Sequence, residues 1–179
     1  MGHNPPKMGQ TTMKRGQIMS NLAQIAALAA TAYLGVKGVK KAEAAINPDR
    51  QVDILARTLW GEARGEGYSG MQAVANVIMN RLKSKRNYGG TVEEVCKKPY
   101  QFSCWLKSDP NRQKLLSVNS SDRQFKTALE IAQQAVNGTL PDITGGATEY
   151  HTTSISPKWD YSKLAKTANI GNHVFYKYA

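Results

Sequence analysis

The chain has 179 residues, 41% of them hydrophobic and 8% aromatic, which gives one compact domain with length to spare and excludes a wholly disordered chain. Its formal charge of +11 attracts polyanions such as nucleic acid, anionic lipid and the acidic polymers of bacterial envelopes. No zinc-finger spacing, basic region with heptads or Gly-rich phosphate loop accompanies that charge, so no specific nucleic-acid reader is expected.

Residues 1–15, "MGHNPPKMGQTTMKR", are polar and basic with two prolines and read as a flexible leader. Residues 16–36, "GQIMSNLAQIAALAATAYLGV", carry no charge and approach the roughly 20 residues of a bilayer span. Gln17, Ser20, Asn21 and Gln24 among many alanines keep the segment only weakly apolar. Four readings fit it: a signal peptide with "ATA" at 30–32 as cleavage site, an uncleaved signal anchor, an Ala-rich helix packed in a larger assembly, or a helix lying on a membrane. A membrane or export role is the expectation. Residues 37–48 read as a linker ended by Pro48.

A domain over 49–179 follows. In "DRQVDILARTLWGEARGE", Val52, Leu55 and Leu59 recur at helical spacing and Glu62 continues the stripe. A glutamate at the inner end of an apolar face is partly desolvated, which raises its pKa and favours the protonated form. Glu66, after Gly65, belongs to the turn or its rim; on one helical face the two acids would repel by a few tenths of a kcal/mol.

The next helix is expected over 69–84, capped by Ser69, with Met71, Val74, Ile78 and Leu82 on its buried face. Asn76 and Asn80 lie one turn apart, either lining a cleft or facing solvent. "NYGGT" breaks the pattern, and "TVEEVCKK" reads as a short helix in which Thr91 and Glu94 form a capping box.

Cys96 and Cys104, in "CKKPYQFSC", lack the second thiol pair or local histidines of a zinc site. Two buried thiols and a loop-closing disulfide outside the cytoplasm both fit. A third helix spans 121–138, with Ser121 and Gln124 as its capping box and Phe125, Ala128, Leu129, Ala132 and Val136 inward. "ATEYHTT" and "NHVFYKY" read as short strands separated by a Pro- and Lys-containing loop. The fold class is α+β, mainly helical with a small β-sheet.

A buried glutamate beside a glycine-rich turn suits protonation of a glycosidic oxygen. A hydrolytic scheme wants a second carboxylate, for which Glu66, Glu149 and Asp160 are candidates. No nucleophile elbow is present, and His3, His151 and His173 are too few and scattered for a metal site. Neither metal nor cofactor is expected.

At four separated pieces the chain resembles the SleB-type cell-wall hydrolases, the spore cortex-lytic enzymes and peptidoglycan hydrolases of bacteria and their phages. The pieces are "ARTLWGEARGEGYSGMQAVANVIMNRLKS", "VCKKPYQFSCW", "GGATEYHTTSISPKW" and "IGNHVFYKY", within about residues 51–178. The resemblance implies a lysozyme-like, lytic-transglycosylase-related fold that cleaves peptidoglycan glycan strands. It puts the acid/base on the first glutamate of "GEARGE", Glu62, which would protonate the oxygen between N-acetylmuramic acid and N-acetylglucosamine. The muramic C6 hydroxyl then attacks C1 to give a 1,6-anhydro end, and Glu66 is reduced to a structural or substrate-orienting part. Gln101, Phe102, Ser103, Tyr150, His151, Asn172, His173 and Tyr176 would line the glycan groove, with core packing an equal alternative for the aromatics and structural hydrogen bonding for the histidines. Trp60 and Trp159 are core residues by default. Related sequences often carry histidine where this chain has Glu149.

The resemblance further implies peptidoglycan as partner and a periplasmic or membrane-anchored enzyme facing the wall, with inner-membrane or virion and tail proteins as further partners. A virion component is the alternative location. The competing functions are a hydrolytic muramidase or glucosaminidase, an amidase, and a structural protein that keeps the fold without turnover.

Overall fold

The computed structural model describes residues 47–179. The leader, the segment 16–36 and nearly all of the linker lie outside the described residues. Among those described, no helix is long and apolar enough to cross a membrane. That corrects the expectation of a signal-anchor or transmembrane helix, whose stretch falls outside the described residues.

Helix α1, Pro48–Ala63, starts on the proline read as the end of a linker. Pro48 occupies the first turn, where its missing N–H leaves no bond unmade, and the Asn47 side chain accepts the Arg50 N–H at 3.1 Å. Val52, Leu55 and Leu59 are buried as their spacing requires. A short 3₁₀ turn, Arg64–Glu66, leads to α2, Gly67–Lys83, which begins two residues before Ser69. Gly67 makes that junction at φ +67°, a conformation that disfavours side chains.

Helix α3, Val92–Cys96, is capped by Thr91 as expected, at 3.1 Å from the Glu94 N–H. The Glu94 carboxylate takes the Gly90 N–H, so the box closes one residue upstream. After α4, Arg112–Ser117, comes α5, Arg123–Val136. Its cap is Asp122, not Ser121, with Oδ1 at 2.8 Å from the Phe125 N–H and 3.2 Å from Trp60 Nε1. One carboxylate thus starts α5 and pins it to α1.

Helix α1 packs on α5, α2 and α3. Leu55, Leu59, Ile78, Val95, Phe102, Leu115 and Ile131 are among the side chains of this core, each of which stabilises the fold by about 1.5–3 kcal/mol on burial.

The sheet has three antiparallel strands, β1 (Glu149–Thr152), β2 (Leu164–Ile170) and β3 (His173–Tyr178), in the order β1-β3-β2. Strand β2 falls in the stretch read as loop, because "LAKTANI" has only one β-branched apolar residue. Tyr150 pairs with Phe175, and Thr152 with His173. Phe175 and Ala147 pack on Ala73 and Val77 of α2, joining sheet to helices.

Asn76 and Asn80 are both engaged with the segment that precedes β1. Asn76 donates to Pro141 O at 3.1 Å and accepts the Ile143 N–H at 3.1 Å, while Asn80 donates to Ala147 O at 3.1 Å. They fasten the segment that delivers β1.

Candidate active site

Glu62 stands in the last turn of α1, and the residue before it determines what approaches. A Cβ on Gly61 would lie 2.7 Å from Cys104 Cβ and 2.9 Å from its Sγ, which no side chain tolerates. Glycine there lets the 3₁₀ turn Ser103–Trp105 close directly onto the helix. The Cys104 backbone N–H then comes to 3.4 Å from Glu62 Oε1 and its thiol bonds the same carboxylate. Across the site, the Tyr150 hydroxyl donates to Glu62 Oε2 at 3.4 Å.

These contacts are long for hydrogen bonds and hold the acid loosely. Burial raises the Glu62 pKa above its ordinary 4.5; the Cys104 and Tyr150 bonds pull it down, and nearby Asp109 pushes it up. The group is half-buried and opens on one side into a cavity of about 230 Å³, lined also by Trp60, Arg64, Ser103, Asp109 and Asn111. An acid whose pKa is raised, beside room for a ligand, suits glycosidic proton donation.

Tyr150 is fixed from behind. Phe175 stacks on it with centroids 5.7 Å apart, and His173 meets it edge-on at 5.3 Å. Burial pushes its phenol well above the ordinary range, so the hydroxyl remains a donor. His173 is itself buried, which lowers its pKa.

Glu66 does not share the Glu62 cavity. Its Oε2 accepts the Asn172 backbone N–H at 3.1 Å and its Oε1 the Asn172 side-chain amide at 3.0 Å. These bonds lower its pKa, whereas that of Glu62 is raised. Gly171, at φ +55°, turns the chain between β2 and β3, and a Cβ there would lie 2.5 Å from Glu66 Oε2. The two acids of "GEARGE" therefore work apart, one in a cavity and one on a turn.

Of the remaining expected groove residues, Ser103 lines the cavity and Gln101 lies half-buried in the same loop. Phe102, for which core packing was the equal alternative, is 2% exposed and lies in the core under the Arg81 guanidinium. His151 and Tyr176 lie elsewhere. Side chains alternate along a strand, so they occupy the sheet face opposite Tyr150 and Phe175. There they stack on each other, centroids 5.5 Å apart. Trp159, expected in the core, is half-buried at the surface against both.

Glu149 and Asp160 do not line the Glu62 cavity either. Glu149 pairs with the buried Arg81 at 3.3 Å and accepts from the Tyr88 hydroxyl at 2.6 Å, while Asp160 pairs with Lys163 at 2.8 Å. The carboxylate that does line the cavity, Asp109, had no signal in the sequence, and Cys104 stood out only as a thiol. Cys96 and Cys104 are both free and buried, with burial raising the Cys96 thiol to about 12 and Cys104 likewise upward. Among the described residues, no cluster of three or more His, Cys, Asp or Glu side chains is placed to hold a metal.

The family model described as Cell Wall Hydrolase matches residues 65–176, beginning just past Glu62. Among curated proteins, the spore cortex-lytic enzyme of Halalkalibacterium halodurans is 33% identical over 130 residues, covering 71% of this chain and 34% of that protein. That of Bacillus cereus is 32% identical over 127 residues, covering 70% and 44%. The chain thus spans less than half the length of these relatives. Among solved structures, the catalytic domain of the Bacillus cereus SleB protein superposes with a TM-score of 0.56 at 29% identity, over 71% of this chain and 89% of that one. The catalytic domain of the germination-specific lytic transglycosylase SleB from Bacillus anthracis gives 0.57 at 32% identity, over 71% and 93%.

Proposed function

Because this chain belongs to the Cell Wall Hydrolase family, we propose that residues 49–179 form a peptidoglycan-cleaving unit that cuts between N-acetylmuramic acid and N-acetylglucosamine, with Glu62 as acid/base. The observation that carries this reading is the half-buried Glu62, its pKa raised, facing the cavity with neutral donors from Cys104 and Tyr150 behind it.

Protonated Glu62 gives its proton to the glycosidic oxygen as the bond to muramic C1 breaks. The resulting carboxylate is held by the Tyr150 hydroxyl and the Cys104 N–H, which favour the charged form. It then takes the proton of the muramic C6 hydroxyl as that oxygen bonds C1. The products are a 1,6-anhydromuramic end and a free N-acetylglucosamine hydroxyl, with the acid restored and no water consumed. The similarity to the germination-specific lytic transglycosylase SleB of Bacillus anthracis supports this route.

Asp109 supports a second reading, hydrolysis, since it lines the same cavity and could activate a water. Mass spectrometry of digested peptidoglycan decides: anhydro ends support transglycosylation, reducing muramic ends overturn it for hydrolysis, and free stem peptides indicate an amidase. Intact sacculi would leave the structural role. The basic charge favours action beside an acidic envelope, in the periplasm or from a virion during lysis or wall penetration, with virion or tail proteins as companions.

A further inference from the structure

The outer sheet face, away from Glu62, carries a second concavity. It measures about 350 Å³ and is lined by Trp159, Leu164 and Tyr178 together with the charged Lys158, Lys163, Glu149 and Asp160. Register puts it at the end of the sheet where Leu164 pairs with Tyr178, whereas the turn held by Glu66 closes the other end. Trp159 and Tyr178 supply its aromatic walls, and Trp159 is held edge-on by His151 and Tyr176, which stack on each other behind it. Tyr178 is 37% exposed.

The charge of this concavity is settled by who is already paired. Glu149 is neutralised by Arg81 and Asp160 by Lys163, leaving the exposed Lys158 without an ion partner among the described residues. Lys166, beside Tyr176 in the ladder, adds a second exposed cation on the same face. His151 stands behind Trp159. Its Nδ1 contacts the Thr152 carbonyl at 2.8 Å, which fixes the ring that supports Trp159, while its Nε2 is buried and takes no part in the lining. Flat rings with adjacent hydrogen-bonding groups and an unpaired ammonium fit a sugar ring that bears an acidic substituent.

We propose that this face is an accessory glycan-binding site, which holds a non-scissile stretch of a peptidoglycan strand through its sugar faces and its stem-peptide carboxylates. It rests on the peptidoglycan reading above and gives His151 and Tyr176 a supporting place behind Trp159. The strand would be retained here while another stretch enters the Glu62 cavity.

The test uses the full chain carrying Glu62→Gln, so that purified sacculi are bound and not digested. Adding Trp159→Ala lowers retention on sacculi by about fivefold while sparing binding to a plain anionic resin. Adding Lys158→Glu, an exposed change that leaves the melting temperature in place, lowers retention and flattens its salt dependence. Undiminished retention of both variants overturns the site, as does a loss on resin equal to the loss on sacculi. Product analysis of the unmutated chain on the same sacculi separates the two proposals. Cleavage with undiminished variant retention defeats the accessory site alone, while absence of both cleavage and parent binding defeats both readings.

Discussion

Glu66 holds Asn172 by both its backbone and side-chain amides, and through that grip the β2–β3 turn is fixed to the junction of α1 and α2. His173 follows at once and abuts Tyr150, whose hydroxyl reaches Glu62. The second acid of "GEARGE" therefore acts on the first through a turn and two rings.

Glu66→Ala is expected to lower the melting temperature and cut turnover about tenfold, by removing two bonds each worth on the order of 1 kcal/mol. Glu66→Gln, which keeps an acceptor, should retain more of both. Because folding lowers the Glu66 pKa, its contribution is present above its unfolded value near 4.5 and is lost as pH falls through the lower folded value. Acid melts of wild type and Glu66→Gln should converge at low pH; parallel curves would show that the carboxylate charge contributes nothing.

Glu62→Gln should reduce turnover by at least about 10²–10⁴-fold while leaving the fold intact. The sign for stability is opposite to that of Glu66. A folded pKa raised above 4.5 means stability is fully present below that value and declines as pH rises through the raised one. The glutamine variant should thus match the wild type near pH 4 and be the more stable at pH 7, as read by thermal melts.

Tyr150→Phe removes a donor that lowers the Glu62 pKa. The alkaline limb of the rate profile, where Glu62 loses its proton, should move to higher pH, and the maximal rate should fall about tenfold. An unmoved limb would separate the phenol from the acid.

Gly61→Ala is expected to destabilise the domain by about 1–3 kcal/mol, because the methyl must displace Cys104. Chemical denaturation reads the loss. In the unmutated fold, both thiols should resist alkylation at pH 8 and become reactive on unfolding, since burial keeps them protonated. Recovery of fewer than two thiols under denaturing, non-reducing conditions would indicate a disulfide.

The long helices were legible because Leu55, Leu59, Met71, Val74 and Phe125 repeat at the helical period and the core takes them all. Glu62 was legible for the same reason, as the residue continuing that stripe. Helix starts shifted by one or two residues for different reasons: Pro48 fits the first turn of α1, the chain re-enters helix at Gly67 without a side-chain cap, and Asp122 outcompetes Ser121 as the cap of α5. Strand β2 was missed because alanines and lysine carry little period-two contrast. The separation of Tyr150 from His151 was present in the sequence as strand alternation, but the groove expectation grouped neighbours in the chain instead of neighbours on a face. Asp109 and the Cys104–Glu62 contact had no local signal, because both arise when a distant loop closes on Gly61.

The strand order β1-β3-β2 has a consequence for the order of assembly. Strands β1 and β2 do not touch; each is hydrogen-bonded only to β3, the last of the three along the chain. Neither can join a sheet until His173–Tyr178 has arrived, however early the helices condense around Leu55 and Leu59. A chain caught before that moment has its acid on a formed helix and Tyr150 without its ladder partner. The placement of Tyr150 beside Glu62 is thus set by a strand from further along the chain, and not by its neighbours in the sequence.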